Sequence, residues 1–110
     1  MEFSDINFYE RSGAKTAGLG RHLPGGYWVQ KAYFEITWRQ VRAAIPALDW
    51  ASKPEQSAET LCGEAFWQAQ KKGGPRLKLG RCVKYFVDHE MLALRVANPG
   101  KKGKRRYTRK

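Results

Sequence analysis

The chain is poor in the residues on which most enzyme chemistry is built. Its 110 residues include two cysteines, Cys62 and Cys82, and two histidines, His22 and His89. Neither cysteine stands in a CxxC pair and no His/Cys spacing of the metal-ligand kind occurs, so the common zinc and redox motifs are excluded. The expectation for both thiols is that they stay reduced and serve as small apolar groups. No nucleophile elbow, phosphate loop or metal motif is present. Asp88 and Glu90 are close in sequence, but that spacing sends two carboxylates to different faces of a helix and makes no acid–base pair. No apolar run approaches the ~18 residues of a membrane span. The start Met1-Glu2-Phe3-Ser4-Asp5 lacks the basic-then-apolar order of a signal peptide. A soluble, cytoplasmic protein is expected, with no catalytic residue, no cofactor, no metal and no membrane partner.

Acidic residues are scarce as well. Asp plus Glu number 10 against 21 Lys plus Arg, a formal charge of +11. Such an excess opposes compaction and is usually matched to a polyanion. What the chain does have is apolar material: 42% hydrophobic, 13% aromatic, four Trp. That suffices for one small core and argues against disorder over most of the length.

Residues 1–26 are polar and Gly-rich, with Gly18-Leu19-Gly20 and a Pro24-Gly25-Gly26 turn, and read as a loosely ordered lead-in. Gly18-Leu19-Gly20 has no strand before it and no helix after it, so it is not a nucleotide fingerprint. Residues 27–98 carry the folded domain. Tyr27 to Val29 fits a short strand, while Tyr33 onward fits either strand or helix. Thr37 is a candidate N-cap for a first helix closed by Pro46. Trp38, Val41 and Ile45 give it one apolar stripe, with Arg39 and Arg42 outside it. A connector over 46–54 tucks Leu48 and Trp50 against the core.

A second helix over 57–72 starts at a Ser57 cap, buries Leu61, Cys62, Ala65, Phe66 and Ala69, and stops at Gly73-Gly74-Pro75. From Arg76 the period is read as two. Leu77 and Leu79, then Val83, Tyr85 and Val87, make a hairpin with Gly80 at its tip. Asp88 caps a last helix, 89–96, closed by Asn98-Pro99-Gly100. The tail 99–110 has seven cations in its last ten residues and is expected to be disordered until bound.

Three parts converge on nucleic acid. The second helix presents Ser57, Glu59, Thr60, Gly63, Glu64, Trp67, Gln68 and Lys71, groups able to read base edges in a major groove. The hairpin carries Arg76, Lys78, Arg81 and Lys84, suited to phosphates or a minor groove. Arg39 and Arg42 on the first helix, with Lys101, Lys102, Lys104, Arg105, Arg106 and Arg109 in the tail, add salt-dependent and sequence-blind affinity.

The run Gly73-Gly74-Pro75-Arg76-Leu77-Lys78-Leu79-Gly80-Arg81-Cys82-Val83-Lys84-Tyr85 resembles the wing segment of small MerR-like winged-helix proteins, the excisionases and AlpA-type regulators of phages and mobile elements. The Ser57, Glu59, Thr60 start and the basic tail are similar to lambdoid excisionases, and the resemblance covers about the second half of the chain. It implies an α+β winged helix-turn-helix with residues 57–72 in the major groove and 76–85 as the wing. It further implies an architectural, sequence-specific binder of double-stranded DNA: an excisionase or small transcriptional regulator. Its partners would be a recombinase (integrase) and further copies of itself along DNA. Two other readings stay open: an RNA-binding module stacking bases on Trp28, Tyr33, Phe34 and Tyr85, and a phage-encoded protein that inhibits a host complex by direct binding. An enzyme would need a site assembled from Glu64, His89 or Tyr107.

Overall fold

Phe34 lies at the centre of the core, fully buried, with its ring 5.8 Å from Phe8, 5.4 Å from Tyr85 and 4.8 Å from Phe86. The computed structural model describes residues 6–10, 19–23, 28–71, 73–97 and 105–110. The fold is mixed α+β, with helices packed between two small antiparallel sheets. Sheet A holds β1 (Tyr9–Glu10), β2 (Leu19–His22) and β3 (Trp28–Gln30), in that order. Sheet B holds β4 (Gln56–Ser57), β5 (Leu94–Val96) and β6 (Arg106–Arg109), with β6 in the middle. Four helices are described: α1 (Lys31–Ala44), α2 (Ala58–Cys62), α3 (Glu64–Gln68) and α4 (Gly74–Asp88). None is long and apolar enough to cross a membrane.

Helix α1 starts six residues before the expected Thr37 cap, straight out of β3. Thr37 sits inside it, fully buried, and its hydroxyl donates to the Tyr33 carbonyl at 2.8 Å, one turn back. Phe34, Thr37 and Val41 form its buried stripe, which packs on α4. Trp38 and Ile45 of the expected stripe flank it half-buried. Past a short 3-10 turn (Ile45–Ala47), Trp50 is buried as expected and its indole N–H donates to the Ile45 carbonyl at 2.8 Å.

The expected helix over 57–72 is broken. Ser57 caps as predicted, accepting the Thr60 amide at 3.3 Å. Gly63 then takes φ +88°, a conformation open to glycine and costly for other residues, so α2 ends and α3 starts anew. Leu61 and Cys62 are fully buried before the break, whereas Ala65 and Ala69 after it are exposed.

The hairpin is absent: residues 74–88 form one helix of 15 residues. The segment supports two periods. Leu77 with Leu79 suggests alternation, but Leu79, Cys82, Val83 and Phe86 also recur at i, i+3, i+4 and i+7, a helical face. All four of these are fully buried while Leu77 is 52% exposed, so the helical period wins. Pro75 fits the first turn, where its missing N–H is not needed. Gly80, expected at a turn, sits mid-helix with no positive φ, unlike Gly63 and Gly73.

The expected helix over 89–96 is absent. The chain turns at His89 and Glu90, with Met91 N–H donating to Phe86 C=O at 2.8 Å and Glu90 N–H to Val87 C=O at 3.2 Å. This is a Schellman stop with Glu90 in the left-handed region, φ +56°. Met91 and Leu92 are buried, but β5 follows in place of a helix. The expected disordered tail is corrected too. Its residues 106–109 form the central strand of sheet B, pairing Tyr107 with Gln56 and with Val96. Tyr107, 1% exposed, supplies a core residue where none was expected. The stretch expected to be a loose lead-in contributes β1 and β2, with Ile6 and Leu23 buried. The expected turn at Gly25-Gly26 and the stop at Asn98-Pro99-Gly100 lie outside the described residues.

Candidate nucleic-acid interface

Sheet B sorts its side chains by alternation. Leu94, Tyr107 and Gln56 point into the core, Gln56 with its amide donating to the Lys53 carbonyl at 2.8 Å. Arg95, Arg106 and Thr108 therefore stand on the outer face, with Arg95 directly opposite Thr108. An open depression of about 540 Å³ lies there, lined by Lys53, Pro54, Glu55, Arg95, Arg106 and Thr108 together with Ala97. A second, about 320 Å³, shares Pro54 and Thr108 with it and adds Trp50, Arg109 and Lys110. Among the described residues the two hold five cations against one carboxylate, Glu55. The Arg109 guanidinium lies 5.5 Å from the Trp50 ring centre, and Lys110 reaches Glu90 at 3.5 Å. The strand thus sets a row of positive groups along a shallow trough, an arrangement that can hold successive phosphates.

The sequence-selected residues are distributed differently from expectation. Ser57 is used as a cap, and Thr60 N–H and hydroxyl turn back on it. Glu59 accepts from Gln68 at 3.3 Å, Trp67 is half-buried against the core, and Gly63 is the break. Glu64 and Lys71 are exposed, Lys71 beyond the end of α3. These eight do not form the face of one recognition helix, because α2 and α3 are five residues each.

The four expected wing cations lie on α4. Arg76 donates to Gln68 at 3.1 Å and stands over Trp67 at 6.0 Å, and Lys84 forms an ion pair with Asp88 one turn on. Lys78 and Arg81 are half-buried on the same helix. On α1, Arg39 pairs with Glu35 at 3.4 Å and Arg42 covers Trp38 at 5.0 Å. Several cations chosen for DNA are thus used within the fold. Lys101, Lys102 and Lys104 lie outside the described residues, while Arg105, Arg106 and Arg109 are exposed.

Among the proposed stacking residues, Phe34 and Tyr85 are buried and offer no surface. Tyr33 is half-buried, its hydroxyl donating to Gln70 at 3.4 Å, and burial pushes its pKa up to about 12. Only Trp28 of that set stands at an outer face. Glu64, His89 and Tyr107 do not combine into a site: Glu64 is exposed, His89 stacks edge-on against Tyr85 at 3.9 Å, and Tyr107 is buried in the core. Burial pushes both cysteine thiols up to about 12. Among the described residues no group of three His, Cys, Asp or Glu could hold a metal.

Sequence reading missed Arg95 and Lys53, because the signal was in topology: a strand from the tail inserted between two others brings distant cations together. Comparison with protein-family models, with curated proteins and with solved structures found no match.

Proposed function

We propose that this protein binds double-stranded DNA by its phosphate backbone, as an architectural protein without covalent chemistry of its own. The observation that carries this reading is the cationic trough on sheet B, where Lys53, Arg95 and Arg106 converge around one depression. The overall charge of +11 adds a long-range attraction to any polyanion. The wing and the single recognition helix, which supported an excisionase or a regulator with sequence-specific readout, have no counterpart among the described elements. Backbone binding is what remains supported, and a role beside a recombinase or as a regulator would rest on it.

The test is an anisotropy titration of a labelled random duplex at ~50 and ~200 mM salt. Binding should weaken steeply with salt, since each neutralised phosphate contributes a slope of about 0.9 in log–log form. Replacing Lys53, Arg95 and Arg106 by Gln together should reduce that slope by roughly 2 to 3. An unchanged slope would move the interface elsewhere, and absence of binding at the lower salt would end the reading.

A further inference from the structure

The outer face of sheet A carries an aromatic cluster that the phosphate trough leaves unused. Directly paired residues share a face, so Tyr9, Gly20 and Gln30 lie on one side together with the pair His22 and Trp28. The other side packs inward at Val29, which is buried, and at Arg21, which donates to the Tyr85 hydroxyl of α4 at 2.9 Å. On the outer side the Trp28 ring centre is 5.1 Å from His22 and 5.5 Å from Tyr9, with Tyr9 and His22 at 6.3 Å. The Tyr9 hydroxyl accepts the His22 backbone N–H at 3.1 Å, which ties the ring across the strand.

Gly20 is what allows the rings to gather. A Cβ there would lie 2.3 Å from the Val29 carbonyl oxygen and 2.7 Å from the Trp28 ring, so the indole occupies the space of the missing side chain. The cluster faces outward: Tyr9 is 45% exposed, His22 and Gln30 are exposed, and Trp28 is half-buried. Among the described residues no carboxylate shares this face. Lys31, exposed at the start of α1, follows Gln30 directly, with its ammonium 5.6 Å from the Phe8 ring. Partly exposed aromatic rings with the Gln30 amide on the same face, on a chain of net charge +11, suit a flat apolar group carried by a polyanion.

We infer that this face is a stacking platform for an unpaired nucleobase, so that the protein engages single-stranded segments by their bases in addition to phosphates. The inference rests on the proposed nucleic-acid binding and names a second contact for it.

The intact chain is titrated with a labelled twelve-residue deoxythymidine strand and with an abasic strand of equal length and charge. Stacking of one base predicts about tenfold tighter binding to the thymidine strand. Tyr9→Leu should remove most of that preference and leave the abasic affinity unchanged. His22→Ala, at an exposed position, takes its place if Tyr9→Leu loses its circular dichroism. Equal affinity for the two strands overturns the platform while the phosphate reading stands. Failure of both strands and of duplex to bind overturns both. A preference that survives both substitutions removes the platform from sheet A.

Discussion

Gly80 is the residue at which the two readings of residues 74–88 differ most. As a hairpin tip it would need the conformational freedom that only glycine has. In α4 it has helical backbone, and a Cβ added there meets nothing within 4 Å. Gly80→Ala should therefore stabilise the protein by about 0.5–1 kcal/mol, the usual gain from removing a glycine inside a helix. A lower urea midpoint for the variant would contradict the helix. Gly63 and Gly73 are the opposite case, because both hold positive φ and an alanine there would be strained. Cys62 and Cys82 lend themselves to a pH test. Their ordinary value is 9.0 and burial raises both to about 12. Between those values the unfolded chain has lost thiol protons that the folded chain keeps, so fewer protons are bound in the unfolded state and stability falls as pH rises. The contribution is whole below pH 9 and is lost towards about 12. Urea midpoints taken across that window should decline, and Cys62→Ala should flatten the slope whatever it does to the midpoint itself.

At the level of elements, the legible features were those with one dominant local signal. The Ser57 cap, the burial of Trp50 and the apolar character of Leu79, Val83 and Leu92 were visible because capping and hydrophobicity act within a few residues. Element type was harder wherever two periods shared one string, as from Leu77 to Val87, where burial against α1 decided for helix. The break at Gly63 was hidden because an isolated glycine is tolerated in a helix as well as at its end. The tail was misread for a different reason. Its composition is that of a disordered polycation, and the one residue that overrides this, Tyr107, finds its place only through partners about fifty residues earlier at Gln56 and near the end of the core at Val96. The site suffered the same way, since Lys53, Arg95 and Arg106 become neighbours only once sheet B exists. Tyr107→Ala should cost about 3–5 kcal/mol, as for other large buried rings. That is a large part of the total stability of a domain this size. A thermal melt that leaves the variant unchanged would return residues 106–109 to a disordered tail.

The whole molecule carries its charge as a burden as well as a function. Three ion pairs are described, all at least partly exposed, and such pairs contribute about 1 kcal/mol or less each. They do not offset the mutual repulsion of an excess of eleven positive charges. The fold should accordingly become more stable as salt rises from ~10 to ~150 mM, where the screening length shrinks from about 30 to 8 Å. Thermal midpoints that fall over that range would show that local attractions outweigh the net charge. A bound polyanion should act in the same direction as salt, so that ligand and screening compete for one effect.

The central position of β6 also shapes how the chain can be made. During synthesis β4 leaves the ribosome early and β5 some forty residues later, and neither pairs with the other, because each hydrogen-bonds only to β6 in the finished sheet. Until Arg106–Arg109 emerge, both strands present open edges, and the Tyr107-shaped gap exposes apolar surface. Helices α1, α2 and α4 contact one another independently of sheet B. Closure of sheet B is then a late event that waits on translation and on a long loop closing.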